Sequence, residues 1–241
     1  MPANPESLKF DQSDVSRESY DLSDKQEERL RRRTKELISE ITELKPDVVV
    51  FMDKSARPLW WMLKAAWPHY SSGQVMPKIR FINVGTEKGI IYDFEPPTER
   101  DYPIDGQLDR AWLRFNEAHK GNDYFERAKI DLGKGFSGNF LIVDDFVNTG
   151  NSISITRNLF KHYFPQAKVT VYSFFRPGDN DVFPNPSTIS RGPYLPWYRT
   201  RSLMVKENSD KSSLTASAED DPQRKSKSLE LRAKLEELFI Q

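Results

Sequence analysis

Four short apolar runs, each bounded by polar residues, stand out in the middle of the chain. They are residues 47–51 (DVVVF), 78–84 (KIRFINV), 139–143 (NFLIV) and 168–175 (KVTVYSFF). Short continuous apolar runs rich in Val and Ile are typical of strands that are buried on both faces, and such strands occur in parallel sheets. The pattern therefore predicts an α/β protein with a mostly parallel sheet that is flanked by helices.

Segments with helical periodicity separate these runs. Ser23 and Gln26 have the spacing of a capping box, and apolar residues then recur every three or four positions up to Leu44. Pro58 opens a second helical segment, PLWWMLKAAW, in the favoured first turn. Residues 150–163 are amphipathic and lie between the last two runs, so this part of the chain predicts a βαβ unit with a right-handed crossover.

The first helical segment carries the basic cluster Arg31, Arg32 and Arg33. Glutamates alternate with these arginines, and Glu27 precedes Arg31 by four residues, as in the ion pairs of exposed helices. The pattern favours a solvated face over a phosphate or RNA site, because such alternation is ordinary on helix surfaces.

Polar residues are concentrated at the two ends of the chain. Residues 1–22 have no period that would bury a face, and we predict a disordered arm there. Residues 206–221 are rich in Ser, Asp and Lys and predict a flexible linker. The linker leads into an amphipathic helix at 222–241, which we expect to dock on the domain or on a second subunit. The second alternative would give a homo-oligomer formed through the terminal helices. One domain is expected over 23–205.

Charge and composition exclude several functional classes. Lys and Arg total 36 and Asp and Glu total 36 among 241 residues, so nucleic-acid binding, which needs a basic face, is unsupported. The chain has no Cys, which excludes disulfides, a thiolate nucleophile and cysteine-ligated zinc. The amino terminus lacks the pattern of a secretory signal, and no apolar run approaches the roughly 18 residues that a bilayer span needs. We expect a cytoplasmic protein with no membrane partner.

The most informative chemistry follows the third apolar run. This strand delivers Asp144 and Asp145 to the carboxyl edge of the sheet, and residues 148–152 (NTGNS) form a turn at the start of a helix. Carboxylates accept hydrogen bonds from vicinal hydroxyls, such as those of a ribose, and orient the water shell of Mg²⁺. Backbone N–H groups and hydroxyls in a turn at a helix start bind phosphate. The combination predicts a site for a 5-phosphorylated ribose.

Residues 140–152 resemble the phosphoribosyl pyrophosphate (PRPP) signature of the type I phosphoribosyltransferases, with four apolar residues, two acids, two apolar residues and a T-G-x-S/T turn. The resemblance implies this fold, Mg²⁺ as cofactor, and PRPP and a small-molecule acceptor as substrates. It implies that Asp144 and Asp145 are the catalytic pair, that they contact the ribose hydroxyls, and that they bind the metal indirectly through PRPP and water. The residues implied to hold the 5-phosphate are Asn148, Thr149, Gly150, Asn151 and Ser152.

In this family the loop after the first strand binds pyrophosphate, and Lys54, Ser55 and Arg57 stand at the corresponding place. That loop matches by position only, and a charged loop that caps the next helix is the alternative interpretation. The long excursion at 85–128 covers the family's mobile loop and includes an inserted helical segment.

The family's hood, which recognises the acceptor, would come from the tail regions. Around a core at 45–176, the resemblance assigns 23–44 and 177–205 to this hood. Three aromatic side chains there either stack on an acceptor ring or belong to the core: Tyr194, Trp197 and Tyr198.

Two features bear on the acceptor and on activity. Asn148 stands where 6-oxopurine salvage enzymes have an aspartate, which argues against hypoxanthine or guanine as the acceptor; the expected acceptor is a nitrogen of a nucleobase or a related ring. The polar first helix and the terminal helix look like interaction elements, which leaves a second hypothesis: a non-catalytic regulator or adaptor on the same fold that senses PRPP or a nucleotide. Pyrophosphate release distinguishes the two.

A second glycine pattern is a weaker candidate. Residues 133–138 (GKGFSG) match G-x-G-x-x-G, the dinucleotide-binding pattern that must follow a strand and open a helix. Here the pattern precedes a strand, so no helix amino terminus would meet a pyrophosphate. The segment therefore predicts a connecting turn.

Overall fold

A computed structural model describes residues 22–52, 56–82, 132–133, 135–147, 151–176, 179, 181–183 and 222–240. Four strands, all parallel, form one sheet: β1 (Val48–Met52), β2 (Lys78–Ile82), β3 (Asn139–Asp144) and β4 (Lys168–Ser173). Their order in the sheet is β2-β1-β3-β4. The prediction of an α/β protein with a parallel sheet is confirmed for this part of the chain.

Four helices accompany the sheet: α1 (Asp24–Leu44), α2 (Arg57–Tyr70), α3 (Asn151–Tyr163) and α4 (Pro222–Glu237). The capping box predicted for α1 is present, since Ser23 Oγ accepts from the Gln26 N–H and the Gln26 side chain accepts from the Ser23 N–H. Helix α2 packs against both α1 and α4, whereas α3 contacts β3 and β4. Residues 1–21 of the predicted arm, the linker, the excursion and the residues assigned to the hood beyond 183 lie outside the described residues. Leu22, the last residue of the predicted arm, packs against the core.

The two faces of the sheet are covered by different helices. Val48 of β1 aligns with Phe140 of β3, so Phe51, three positions later, lies on the opposite face from Phe140. Phe51 contacts Trp60 of α2, with ring centroids 6.2 Å apart. Phe140 contacts Phe160 of α3, with ring centroids 4.7 Å apart. Helices therefore shield both faces, as the continuous apolar runs of the strands require.

The strand order creates a switch point in the middle of the sheet. From β1 the chain crosses through α2 to β2 on one side, and from β3 it crosses through α3 to β4 on the other. The two crossovers therefore leave the neighbouring strands β1 and β3 towards opposite sides of the sheet. Ligands of open α/β sheets bind in a crevice at such a switch point, outside the carboxyl ends of the strands. The segments after Met52 and after Asp144 are therefore the expected place for a ligand.

A buried ionic cluster ties α1 to the segment that follows β4. The carboxylate of Asp179 is fully buried and accepts from Arg29 and from Arg33, whose Nη2 lies 2.8 Å from Asp179 Oδ2. The Arg176 N–H also donates to Asp179 Oδ2, at 2.8 Å. Arg33 Nη1 in turn donates to Glu36 at 2.6 Å. We call Arg29, Arg33, Glu36, Arg176 and Asp179 the α1 clamp.

The α1 clamp corrects one interpretation of the basic cluster. Arg32 is exposed, as expected of a solvated face, but Arg33 is buried. Burial alone would lower the pKa of Arg33, yet its hydrogen bonds to Glu36 and Asp179 outweigh this effect and raise it. Helix α1, which the sequence assigns to the hood, also contributes Leu30, Leu37 and other apolar residues to the common core.

The α1 clamp predicts acid lability. Burial would raise the pKa of Asp179, but the hydrogen bonds from the Arg176 N–H, Arg29 and Arg33 outweigh it and lower this pKa. A carboxyl with a lowered folded-state pKa contributes stability above its unfolded pKa of about 3.9, and this contribution is lost as the pH falls through the folded value. We expect the urea midpoint of the wild type to fall more steeply below about pH 4 than that of Asp179→Asn. Parallel pH profiles for the two proteins would contradict this assignment.

The terminal helix α4 docks on its own chain. Its apolar face is buried, and Arg31 Nε of α1 donates to the Leu238 carbonyl at 3.0 Å. Two leucines of α4 and one directly after it are buried: Leu231, Leu235 and Leu238. Of the two predicted docking places, the domain is the one that the structure shows. No helix in the described ranges has the length and apolar character needed to cross a membrane.

Candidate functional site

Asp144 and Asp145 lie at the carboxyl end of β3, beside the switch point. The preceding strand residues are buried from Phe140 onwards, and this burial continues through the acids, whose exposed fractions are 7% and 3%. Buried carboxylates are costly unless they are paired or hydrogen-bonded. Each buried oxygen of this pair therefore needs a hydrogen-bond donor or a cation.

One oxygen of each carboxylate is held by the backbone. Asp144 Oδ1 accepts from the Asp145 N–H at 2.9 Å, and Asp145 Oδ1 accepts from the Phe146 N–H at 2.9 Å. Asp145 Oδ2 is buried and has no hydrogen-bond partner among the described residues. A carboxylate accepts hydrogen bonds at both oxygens and donates none when ionised, so this oxygen is available for a hydroxyl donor or a cation.

The neighbouring strand β4 supports the turn after the acids. Ser173 is in register with Asp144, and its hydroxyl accepts from the Val147 N–H at 3.2 Å while it donates to the Phe175 carbonyl at 2.8 Å. The Phe175 N–H donates to the Asp145 carbonyl at 2.8 Å, which extends the pairing past the strand ends. Sequence reasoning missed Ser173. Its only signal in the sequence was its place near the end of the fourth apolar run, which a parallel sheet brings to the same edge as the acids.

On the β1 side, the sequence-predicted pyrophosphate loop is described only in part. Lys54 and Ser55 lie outside the described residues. On either side of this gap, the Ala56 N–H donates to the Met52 carbonyl at 3.0 Å. Arg57 opens α2 with 2% of its surface exposed, and its guanidinium lies over the ring of Phe81 in β2, 4.5 Å from the centroid. A buried cation thus lies next to the loop that follows β1.

The predicted phosphate turn connects the acids to α3. Asn148, Thr149 and Gly150 lie outside the described residues, whereas Asn151 and Ser152 are the first two residues of α3. The carboxyl end of β3 and the amino terminus of a 13-residue helix therefore bound the turn. Helix amino termini present unpaired N–H groups to anions. The predicted acceptor-stacking residues Tyr194, Trp197 and Tyr198 are also outside the described residues.

The glycine pattern at 133–138 lies away from this site. It precedes β3 and therefore leads into the amino edge of the sheet, opposite the acids. Gly133 and Gly135 have φ of 92° and 89°, a conformation that side chains rarely adopt, and a Cβ at Gly138 would collide with the Asp47 side chain. These glycines serve the turn, as the sequence predicts.

The described geometry defines an α/β protein with a pair of buried acids at the switch point of its sheet. Comparison of the chain with protein-family models, with curated proteins and with solved structures finds no match. The case for a function therefore depends on the chemistry of the site residues.

Proposed function

We propose that this protein is a phosphoribosyltransferase-type enzyme with a type I phosphoribosyltransferase-like fold. It binds PRPP with Mg²⁺ and transfers the phosphoribosyl group to an acceptor nitrogen, with release of pyrophosphate. The observation that carries the proposal is the buried Asp145 Oδ2, which has no hydrogen-bond partner among the described residues and lies next to Asp144 at the switch point, just before α3. A ribose with vicinal hydroxyls and a 5-phosphate supplies donors for the acids and an anion for the turn.

Each part of the ligand has a proposed place. The ribose 2- and 3-hydroxyls donate to Asp144 and Asp145, and the 5-phosphate accepts from residues 148–152. Pyrophosphate lies towards the loop after β1, where the sequence has Lys54 and Ser55 and where Arg57 is buried. This placement spreads the ligand across the crevice between the carboxyl ends of β1 and β3.

The acid pair is suited to hold Mg²⁺ indirectly, through PRPP and water. In the described part of the chain, no three His, Cys, Asp or Glu side chains come together as a metal-binding group. Mg²⁺ needs no such cage, because it keeps several waters and is usually held by one or two carboxylates and by substrate phosphates. Asp144 and Asp145 would hold it in this indirect way, and the ion would neutralise charge on the departing pyrophosphate.

Transfer needs little covalent chemistry from the protein. The bond from C1 of the ribose to the pyrophosphate oxygen breaks, pyrophosphate keeps the electron pair, and the acceptor nitrogen bonds to C1. Positive charge develops on the ribose, and carboxylates that accept from its hydroxyls, as proposed for Asp144 and Asp145, would favour that charge. The protein would act mainly by positioning the reactants and by electrostatic stabilisation.

The proposal is tested by calorimetric titration of the wild type with PRPP and Mg²⁺, followed by a pyrophosphate-release assay with a panel of nucleobases and related ring nitrogens. We expect saturable binding that weakens when the metal is chelated, and release with at least one acceptor. If PRPP, ribose 5-phosphate and nucleoside monophosphates all give neither heat nor a thermal shift, the proposal is wrong.

Binding without release would favour the second hypothesis, a PRPP- or nucleotide-sensing regulator. That hypothesis was motivated by the two polar helices at the ends of the chain. Both helices bury apolar residues in the common core, and α2 packs against each of them. Their apolar faces are therefore used within the chain, which favours the enzyme.

A further inference from the structure

We propose that Ser173 is a positioning residue that fixes the turn after the acid pair and thereby sets the affinity of the site for a sugar phosphate. The inference rests on the proposed function. Ser173 belongs to β4, outside the run that resembles the PRPP signature, and its hydroxyl hydrogen-bonds to the backbone of Val147 and Phe175. It acts through the turn and does not need to touch the ligand.

Three consecutive N–H groups after β3 donate to side-chain oxygens. The N–H groups of Asp145 and Phe146 donate within the acid pair, to Asp144 Oδ1 and Asp145 Oδ1. The third, from Val147, donates across to Ser173 of the neighbouring strand. The first two bonds are local and move with the turn. The third ties the turn to the sheet.

The Ser173 hydroxyl is itself held in one orientation. Its proton is directed to the Phe175 carbonyl at 2.8 Å, which leaves the oxygen to accept from Val147. Ser173 is also in register with Asp144, so the same strand pair fixes the acid and the anchor of the turn. A short side chain that both donates and accepts here holds the backbone at Val147 in a defined place.

Val147 immediately precedes the proposed phosphate turn at 148–152. A shift of its N–H would displace the start of that turn relative to Asp144 and Asp145. Phosphate and ribose would then no longer be bound together in one geometry, and small displacements of positioning groups are costly in binding and catalysis. The expected defect is specific for ligands that carry the sugar phosphate.

The test compares Ser173→Ala with Thr170→Val, which removes a hydroxyl from the same strand. Thr170 makes no side-chain hydrogen bond to the described residues. Ribose 5-phosphate and pyrophosphate are titrated separately, each with Mg²⁺. Loss of one hydrogen bond predicts that Ser173→Ala binds ribose 5-phosphate about three- to tenfold more weakly, with pyrophosphate affinity unchanged. We expect Thr170→Val to match the wild type with both ligands, and Ser173→Thr, which keeps the hydroxyl, to restore affinity.

Each other result is decisive. If a folded Ser173→Ala binds ribose 5-phosphate like the wild type, this inference is wrong and the proposed function is unaffected. The same conclusion follows if Ser173→Ala loses affinity equally for ribose 5-phosphate and pyrophosphate. A wild type that binds neither ligand overturns both proposals. If Ser173→Ala does not fold, amide hydrogen exchange of the unliganded wild type decides. The Val147 amide must then be protected, and exchange as fast as that of an exposed loop would overturn the anchoring role.

Discussion

Asp179→Ala is expected to lower the free energy of unfolding by about 3–5 kcal/mol, because it removes one partner from a buried ion pair. Arg33 is buried, and its Nε and Nη2 both donate to Asp179 Oδ2, at 3.0 and 2.8 Å. The substitution also removes the acceptor for Arg29 and for the Arg176 N–H. Urea unfolding followed by circular dichroism measures the loss.

Asp181→Ala is the matched control, because Asp181 is an exposed carboxylate only two residues away. We expect its free energy of unfolding to stay within about 0.5 kcal/mol of the wild type. Asp179→Asn should lie between the two, because it keeps an acceptor oxygen but not the charge. A loss below about 1 kcal/mol for Asp179→Ala would show that the α1 clamp does not join α1 to the segment after β4.

The sheet could be predicted from the sequence because its signal is local. The two central strands, β1 and β3, are apolar runs that need cover on both faces, and the structure supplies α2 on one face and α3 on the other. The start of α1 could be predicted for the same reason, since a capping box is defined by two residues three positions apart. Such features depend on neighbours in the chain.

The α1 clamp could not be predicted because its partners are far apart in sequence. Arg33 shares its helix with Glu36, and that spacing looks like an exposed pair, but its main partner Asp179 is 146 positions away. Asp179 itself lies in a segment of Pro, Gly and Asp that has the composition of a surface loop. Only the packing of α1 against the segment that follows β4 makes these two residues a buried pair.

The candidate site was predictable in its position and not in its details. The end of an apolar strand placed Asp144 and Asp145 at the carboxyl edge, which is the edge where open α/β sheets bind their ligands. No local pattern shows which carboxylate oxygen the backbone occupies. Sequence reasoning also gave no weight to Ser173, because its role depends on the register between β3 and β4.

We expect Asp145→Asn to weaken PRPP binding by roughly 100-fold or more, since hydrogen bonds to charged groups contribute about 1.5–3 kcal/mol each and the amide also loses the charge. Asparagine keeps Oδ1, the acceptor for the Phe146 N–H, so the turn should be preserved. It replaces the buried Oδ2 by an N–H₂ group, which cannot accept from a ribose hydroxyl. Calorimetric titration with PRPP and Mg²⁺ measures the loss, and binding by Asp144→Asn/Asp145→Asn should be undetectable.

The stability of Asp145→Asn separates a ligand site from a structural acid. In the unliganded protein Asp145 Oδ2 is a buried oxygen without a partner among the described residues, so its replacement by a neutral N–H₂ group should leave the free energy of unfolding unchanged or raise it. The control is Asp47→Asn at the opposite edge of the sheet, where Asp47 Oδ2 accepts from the Asn139 N–H. Asp47→Asn should bind PRPP like the wild type. Substitution of a structural residue lowers the stability of the protein, whereas substitution of a ligand-binding residue lowers its affinity. If Asp145→Asn is destabilised and still binds PRPP normally, Asp145 is not part of the site.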